Sequence, residues 1–287
     1  MRSDGRIAAR YASGSPQLHP RVHPMPDSIR NRLYSTEAIV LARRNLGESD
    51  RIYDIYSVRY GKFSVIAKRA RRPDNRDGRS LDLLSRVLIH LYRGRNLDIV
   101  KSVEPVATHD GLRADLDAYG HACYLAELVR AMTEDRQPNE QLYALLAQCL
   151  TLLSEGVDPW PVTRYFEYAL LDASGFQAQL YACAHCRHPL SAQVNAFSVR
   201  ESGILCPKCQ LHDPGAAPLS VNAQKYLRAM DREGLRRTIG LQLDEASRNQ
   251  VQHMLTNYLQ HLAERPLASL GVLRSMRGKV GTGVPAP

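Results

Sequence analysis

Between residues 33 and 107, hydrophobic and polar positions alternate in short runs separated by turn residues. Thr36–Ala42, Arg51–Val58, Lys62–Ala67, Arg86–Tyr92 and Leu97–Val103 each have strand composition. Asn45-Leu46-Gly47, Tyr60-Gly61 and Arg93-Gly94-Arg95-Asn96 punctuate them, and Pro105 is expected to close the fifth. The period is two. Phe63, Val65 and Ala67 alternate with Lys62, Ser64 and Lys68, and Val87, Ile89 and Leu91 alternate with Arg86, His90 and Tyr92. One face is apolar, while the other mixes cations with a ring, which predicts a small five-strand barrel.

From Asp110 the period becomes helical. Leu112, Leu116, Tyr119, Cys123, Leu125, Leu128, Val129 and Met132 form one stripe. Leu142, Leu145, Leu146, Cys149, Leu152 and Leu153 form a second, stopped at Gly156. Val162, Tyr165, Phe166, Ala169 and Leu170 form a third, ending at Gly175. Later helices are expected near 223–230, with Ser220 as N-cap, and near 245–264. Stripes this broad fit a helical bundle, in which Cys123 and Cys149 read as core.

The helical pattern is interrupted by Cys183-Ala-His-Cys186, nineteen residues, and Cys206-Pro-Lys-Cys209. Two such pairs let four thiolates reach one ion and leave no open position, so a single structural Zn2+ on Cys183, Cys186, Cys206 and Cys209 is expected. The intervening segment is mostly small and polar, with too little apolar area to fold unaided.

Charge sharpens this division. The 38 Lys+Arg and 29 Asp+Glu leave +9, and residues 111–287 carry 17 of each, so all the excess precedes residue 111. Its densest part is the third connection of the barrel, KRARRPDNRDGR, with six cations (Lys68, Arg69, Arg71, Arg72, Arg76, Arg79) and two Asp. Cations that follow phosphates, next to rings on which bases can stack, are the chemistry of an oligonucleotide-binding (OB) fold. Residues 1–32 are rich in Arg, Ser, Gly, Pro and His and read as a disordered basic tail without an export signal, so the thiols are expected reduced. No run is long and apolar enough to span a membrane, so no membrane partner is expected. An enzyme is not expected either. There is no phosphate loop, and the acid pairs Asp50/Asp54 and Asp115/Asp117 are more simply surface residues beside strand and helix starts. Two further function classes compete with a nucleic-acid binder: a zinc-containing protein-interaction module, and a nucleic-acid enzyme with a structural zinc.

LYSTEAIVL (33–41), LGESDRIYDIYSVRYGKFSVIAKRARRP (46–73) and VLIHLYRGRNLDIVKSVE (87–104) resemble the N-terminal domain of the RecO family of recombination mediators. The order of helices, CxxC…CxxC insertion and helices resembles the rest of the family, down to HLAERPLASL (261–270). The resemblance implies an α+β chain: an OB-fold domain at 33–107 and a helical domain at 108–272 with a zinc-binding insertion at 181–212; residues 273–287 fall outside it and are expected to be a flexible tail. It also implies binding of single- and double-stranded DNA, strand annealing, and action with RecR to load RecA on DNA coated by single-stranded-DNA-binding protein. That protein's acidic C-terminal tail would dock on the helical domain, and the chain would be cytoplasmic and nucleoid-associated. By motif the DNA contacts would be Lys62, Lys68, Arg69, Arg71 and Arg72; charge extends them to Arg76 and Arg79.

Overall fold

The computed structural model describes residues 32–73, 76–263, 266–271 and 273, with nothing described of the Arg76 side chain. The expected tail at 1–32 therefore lies almost wholly outside the described residues, as does 274–287.

Five strands close a barrel in the order β1-β2-β3-β5-β4: β1 Leu33–Leu46, β2 Asp50–Ser57, β3 Gly61–Ala67, β4 Arg86–Tyr92 and β5 Asp98–Ala107. All pairings are antiparallel except β3 with β5, which meet in parallel at Val65–Asp98 and Ile66–Ile99. Val40, Ile55, Val65, Val87, Ile89 and Leu91 fill the interior, each inaccessible to water. The alternation read along β4 is followed at every position.

Two strands differ from expectation. β1 runs past Ala42 to Leu46, because after a register shift between Val40 and Ala42 its second half leaves β4 and continues with β2 as a two-stranded ribbon. A bulge bends a strand in this way, and the ribbon's polar, exposed residues give no burial period to read. β5 is not closed by Pro105 but continues to Ala107. Pro105 faces Val87 at a register shift, where a missing N–H is tolerated.

The cationic connection is also more ordered than a loop. It contains a short helix, α1 (Arg76–Ser80). The Asp77 carboxylate accepts from the Val103 amide at 3.1 Å, and Ala70 and Leu81 bury their side chains in the barrel core.

The remaining helices are α2 Leu116–Met132, α3 Glu140–Ser154, α4 Pro159–Ala173, α5 Val221–Glu233, α6 Leu235–Thr238 and α7 Glu245–Leu262. Asp115, Asn139, Asp158, Ser220 and Asp244 cap the five long ones, each accepting from backbone amides of the first turn. Cys149 is buried in their core, while Cys123 is only partly buried beside it. Leu273, expected in a flexible tail, packs into the same core with Leu267 and Leu270.

Barrel and bundle share that core. Ile39, Leu41 and Tyr56 point outward from the barrel into it, joined by Leu84. Polar contacts border the seam: Tyr143 donates to Glu37 at 2.9 Å, and Arg130 pairs with Asp54 at 3.0 Å. The fit is close. Gly61 has φ +64°, and a Cβ there would lie 2.2 Å from the Gln137 carbonyl oxygen.

Between α4 and α5 lies a three-stranded sheet, order β7-β6-β8: β6 Asn195–Ser198, β7 Gly203–Leu205 and β8 Ala217–Leu219. Phe197 and Ile204 join the helical core, as does Leu219 beyond the second pair, so the segment between the cysteine pairs has more apolar anchorage than its composition suggested.

Candidate nucleic-acid interface and metal centre

The turn between β1 and β2 and the start of the β3–β4 connection lie side by side at one end of the barrel. The Arg71 amide donates to the Ser49 carbonyl at 3.0 Å, and its guanidinium donates to the Gly47 carbonyl at 3.1 Å. Asp50 ties the next turn down, accepting from the Lys68 ammonium and the Arg69 amide, both at 2.8 Å. The Lys68 ammonium, followed by the Arg69 amide, holds the Asp50 carboxyl below the usual carboxylate range.

This scaffold leaves cations in solvent. Arg69, Arg72 and Arg79 are exposed and form no ion pair among the described residues. Lys68 and Arg71 are exposed too, Lys68 paired with Asp50 and Arg71 bonded to the Gly47 carbonyl. Arg69 stands at φ +55°, a left-handed conformation that costs a non-glycine residue roughly 1 kcal/mol. The structure thus brings Lys68, Arg69, Arg71 and Arg72 together beside the β1–β2 turn.

Lys62 does not join them. It is 16% exposed, its ammonium donates to the Arg130 carbonyl at 2.9 Å and to that of Thr133, and it pairs with Asp135 at 3.4 Å. It sits at the C-terminal end of α2, where free carbonyls attract a cation, and locks the barrel to the bundle. The acid pairs are likewise structural. Asp54 accepts from Ser64 and pairs with Arg130, and Asp115 caps α2.

A second set of cations lies outside the sequence candidates. Arg59 is in the β2–β3 turn, and Arg93 and Arg95 are in the β4–β5 turn; all three are exposed. The Arg-Gly-Arg turn and the nearby tyrosines were the available signal.

Away from the barrel, Cys183, Cys186, Cys206 and Cys209 place their sulfurs within 4.8 Å of one another, and all four thiols are free. They form the one such group of three or more metal-ligating side chains among the described residues. Burial raises the Cys183 thiol, but amide donors from Cys206, Cys186 and His185 outweigh it and bring it to about 6. Burial and the neighbouring thiols push Cys209 the other way, up to about 12, so it is the closeness of four sulfurs that lets this set hold one ion.

Residues 31–109 match the family model described as Recombination protein O N terminal, and residues 113–271 match Recombination protein O C terminal. The chain belongs to the RecO family. Similar members include the DNA repair protein RecO of Roseiflexus sp., 36% identical over 258 residues, covering 90% of this chain and 91% of that protein. The DNA repair protein RecO of Symbiobacterium thermophilum is 35% identical, covering 85% and 99%, and that of Pelotomaculum thermopropionicum is 33% identical, covering 84% and 94%. The cationic barrel end thus lies in the part matched by the N-terminal family model, and the four cysteines in the part matched by the C-terminal one. No helix among the described residues is long and apolar enough to cross a membrane.

Proposed function

We propose that this chain acts in recombinational DNA repair as a binder and annealer of DNA strands. The observation that carries this is the exposed group of Arg69, Arg71 and Arg72, with Lys68, on a rigid barrel end. Annealing needs no catalytic group. Cations reduce the repulsion between two phosphate backbones, and base pairing supplies the driving force. Single and double strands both offer the phosphates this surface would read. Arg76 and Arg79 would extend the surface along α1. With RecR, the chain would help RecA load on DNA coated by single-stranded-DNA-binding protein, whose acidic tail would dock on the helical domain. Such work is cytoplasmic, at the nucleoid.

One Zn2+ ion suits the four-cysteine site. Zn–S bonds of ~2.3 Å set tetrahedral sulfurs roughly 3.8 Å apart, and Cys186 and Cys206 are at 3.9 Å. Four thiolates would occupy the whole coordination sphere, so the ion would hold the module together.

The test is the salt dependence of single-strand binding. Arg69→Gly with Arg72→Ala removes two cations, and glycine suits the left-handed backbone at 69. The log–log slope should flatten by about 1.4, at ~0.7 per lost phosphate contact, and annealing of complementary oligonucleotides should slow. An unchanged slope would remove the barrel end from the reading. Annealing of strands coated by single-stranded-DNA-binding protein, with and without its tail, tests the partner.

A further inference from the structure

The barrel has a second cationic end. The β2–β3 hairpin runs from the Arg51–Ala67 pair to the Ser57–Gly61 pair, six residues or about 20 Å along the strands. At its far end an aromatic cluster caps the barrel core, with Phe63 buried and Tyr34 and Tyr60 partly open at the rim. The rings of Tyr34 and Tyr60 meet edge to face at 5.0 Å, and Tyr60 meets Phe63 at 6.4 Å. Tyr34 and Tyr60 are half-buried, so both keep surface in solvent.

Arginines surround these rings. Arg93 lies over Tyr34 at 5.6 Å, and Arg136, from the α2–α3 connection, lies over Phe63 at 3.8 Å. Arg59 and Arg95 extend from the adjoining turns. Arg59, Arg93 and Arg95 are exposed and have no ion pair among the described residues. Two neighbouring acids are already engaged. Asp98 is buried, pairs with Arg136 at 2.7 Å, and accepts from Tyr34 and the Gly94 amide; Asp135 pairs with Lys62.

Unpaired arginines around partly open rings suit unstacked bases on a phosphate backbone better than a duplex, whose bases are already stacked. The β2–β3 hairpin separates this end from the Arg69–Arg72 group. We propose that Arg59, Arg93 and Arg95, with the Tyr34 and Tyr60 rings, form a second contact surface for single-stranded nucleic acid, so that one chain holds two strands at once. This rests on the barrel being a nucleic-acid binder, and it adds the means by which two strands are brought together.

A bridging assay with the full-length protein tests it. Immobilised oligo-dT captures the protein, and retention of labelled, non-complementary oligo-dC from solution is then measured, with strands per chain counted by mass photometry. The wild type should retain oligo-dC at two strands per chain. Arg59→Ala/Arg93→Ala/Arg95→Ala changes only exposed side chains. It should melt as the wild type does and still be captured by oligo-dT. Its retention of oligo-dC should fall at least tenfold, and the salt slope of that step should flatten by about 2. Bridging untouched by the triple substitution would overturn the inference, and so would wild-type bridging that needs two chains. Equal loss of both steps would also overturn it, since that would mark one continuous site. The role of the Arg69–Arg72 end in DNA binding fails separately, if Arg69→Gly/Arg72→Ala leaves oligo-dT capture and its salt slope unchanged.

Discussion

Glu167 and Arg164 face each other at 2.9 Å on α4, Glu167 fully buried and Arg164 nearly so. Tyr124 donates to Glu167 at 2.7 Å, and Thr256 accepts from Arg164 at 3.3 Å, but Glu167 Oε2 and Arg164 Nε have no hydrogen-bond partner among the described residues. Burial pushes the Glu167 carboxyl up to about 7, against the pull of Arg164 and Tyr124. The folded state therefore binds this proton more tightly than the unfolded chain, whose carboxyl titrates near 4.5. The stability this proton confers is fully present below about 4.5 and is lost as pH rises through about 7. A shift of this size corresponds to roughly 3 kcal/mol. Melting temperature followed against pH for the wild type and Glu167→Gln checks it. The difference between the two curves should change between those pH values and stay flat outside them. A flat difference throughout would show a carboxyl that titrates normally. Removing the acid outright, as in Glu167→Ala, leaves a buried guanidinium unpaired and should cost about 3–5 kcal/mol in chemical denaturation at pH 8.

The four-cysteine module is tied into the helical core. Two of its strands send Phe197 and Ile204 into the bundle core, so loosening the cysteines frees apolar anchors as well as a surface knuckle. Stripping the metal with a chelator, or changing Cys206→Ser, should cost about 4 kcal/mol and lower the melting temperature by about 10 °C, with close to one zinc per chain in the untreated protein. A metal-free preparation with the same melting curve would contradict the structural role. These cysteines were legible from spacing alone, because a turn of CxxC is a local device. So was β4, whose two faces meet different solvents. The role of Lys62 was not, since its partners are carbonyls 68 and 71 residues further along the chain. Nor was α1. Five residues carry no period, and what holds them is Asp77 reaching the Val103 amide across the barrel. The continuation of β5 through Pro105 was hidden for a related reason: a register shift belongs to a pair of strands, and neither strand shows it alone.

For the molecule as a whole, the boundary near residue 107 is one of sequence and not of packing. The barrel face carrying Ile39, Leu41 and Tyr56 is interior, although it lies on the outside of the barrel. A fragment ending at residue 107 would expose it, and at roughly 25 cal/mol per Å2 several such side chains offset much of a small domain's stability. That fragment should elute as aggregate in size-exclusion chromatography, and Ile39→Thr with Leu41→Thr should shift it toward monomer. A soluble, monodisperse wild-type fragment would mean that the barrel stands alone.

The contact between Gly61 and Gln137 gives this joint its tolerance. The space left at the Gly61 α-carbon fits a hydrogen atom and no methyl group, because the opposing atom is backbone and cannot rotate aside. A larger residue there would act as a shim between two machined faces. It would tilt the barrel on the bundle and swing both arginine-bearing ends through an arc, with no change to any arginine. Where this protein carries its charge is set in part by the absence of one carbon.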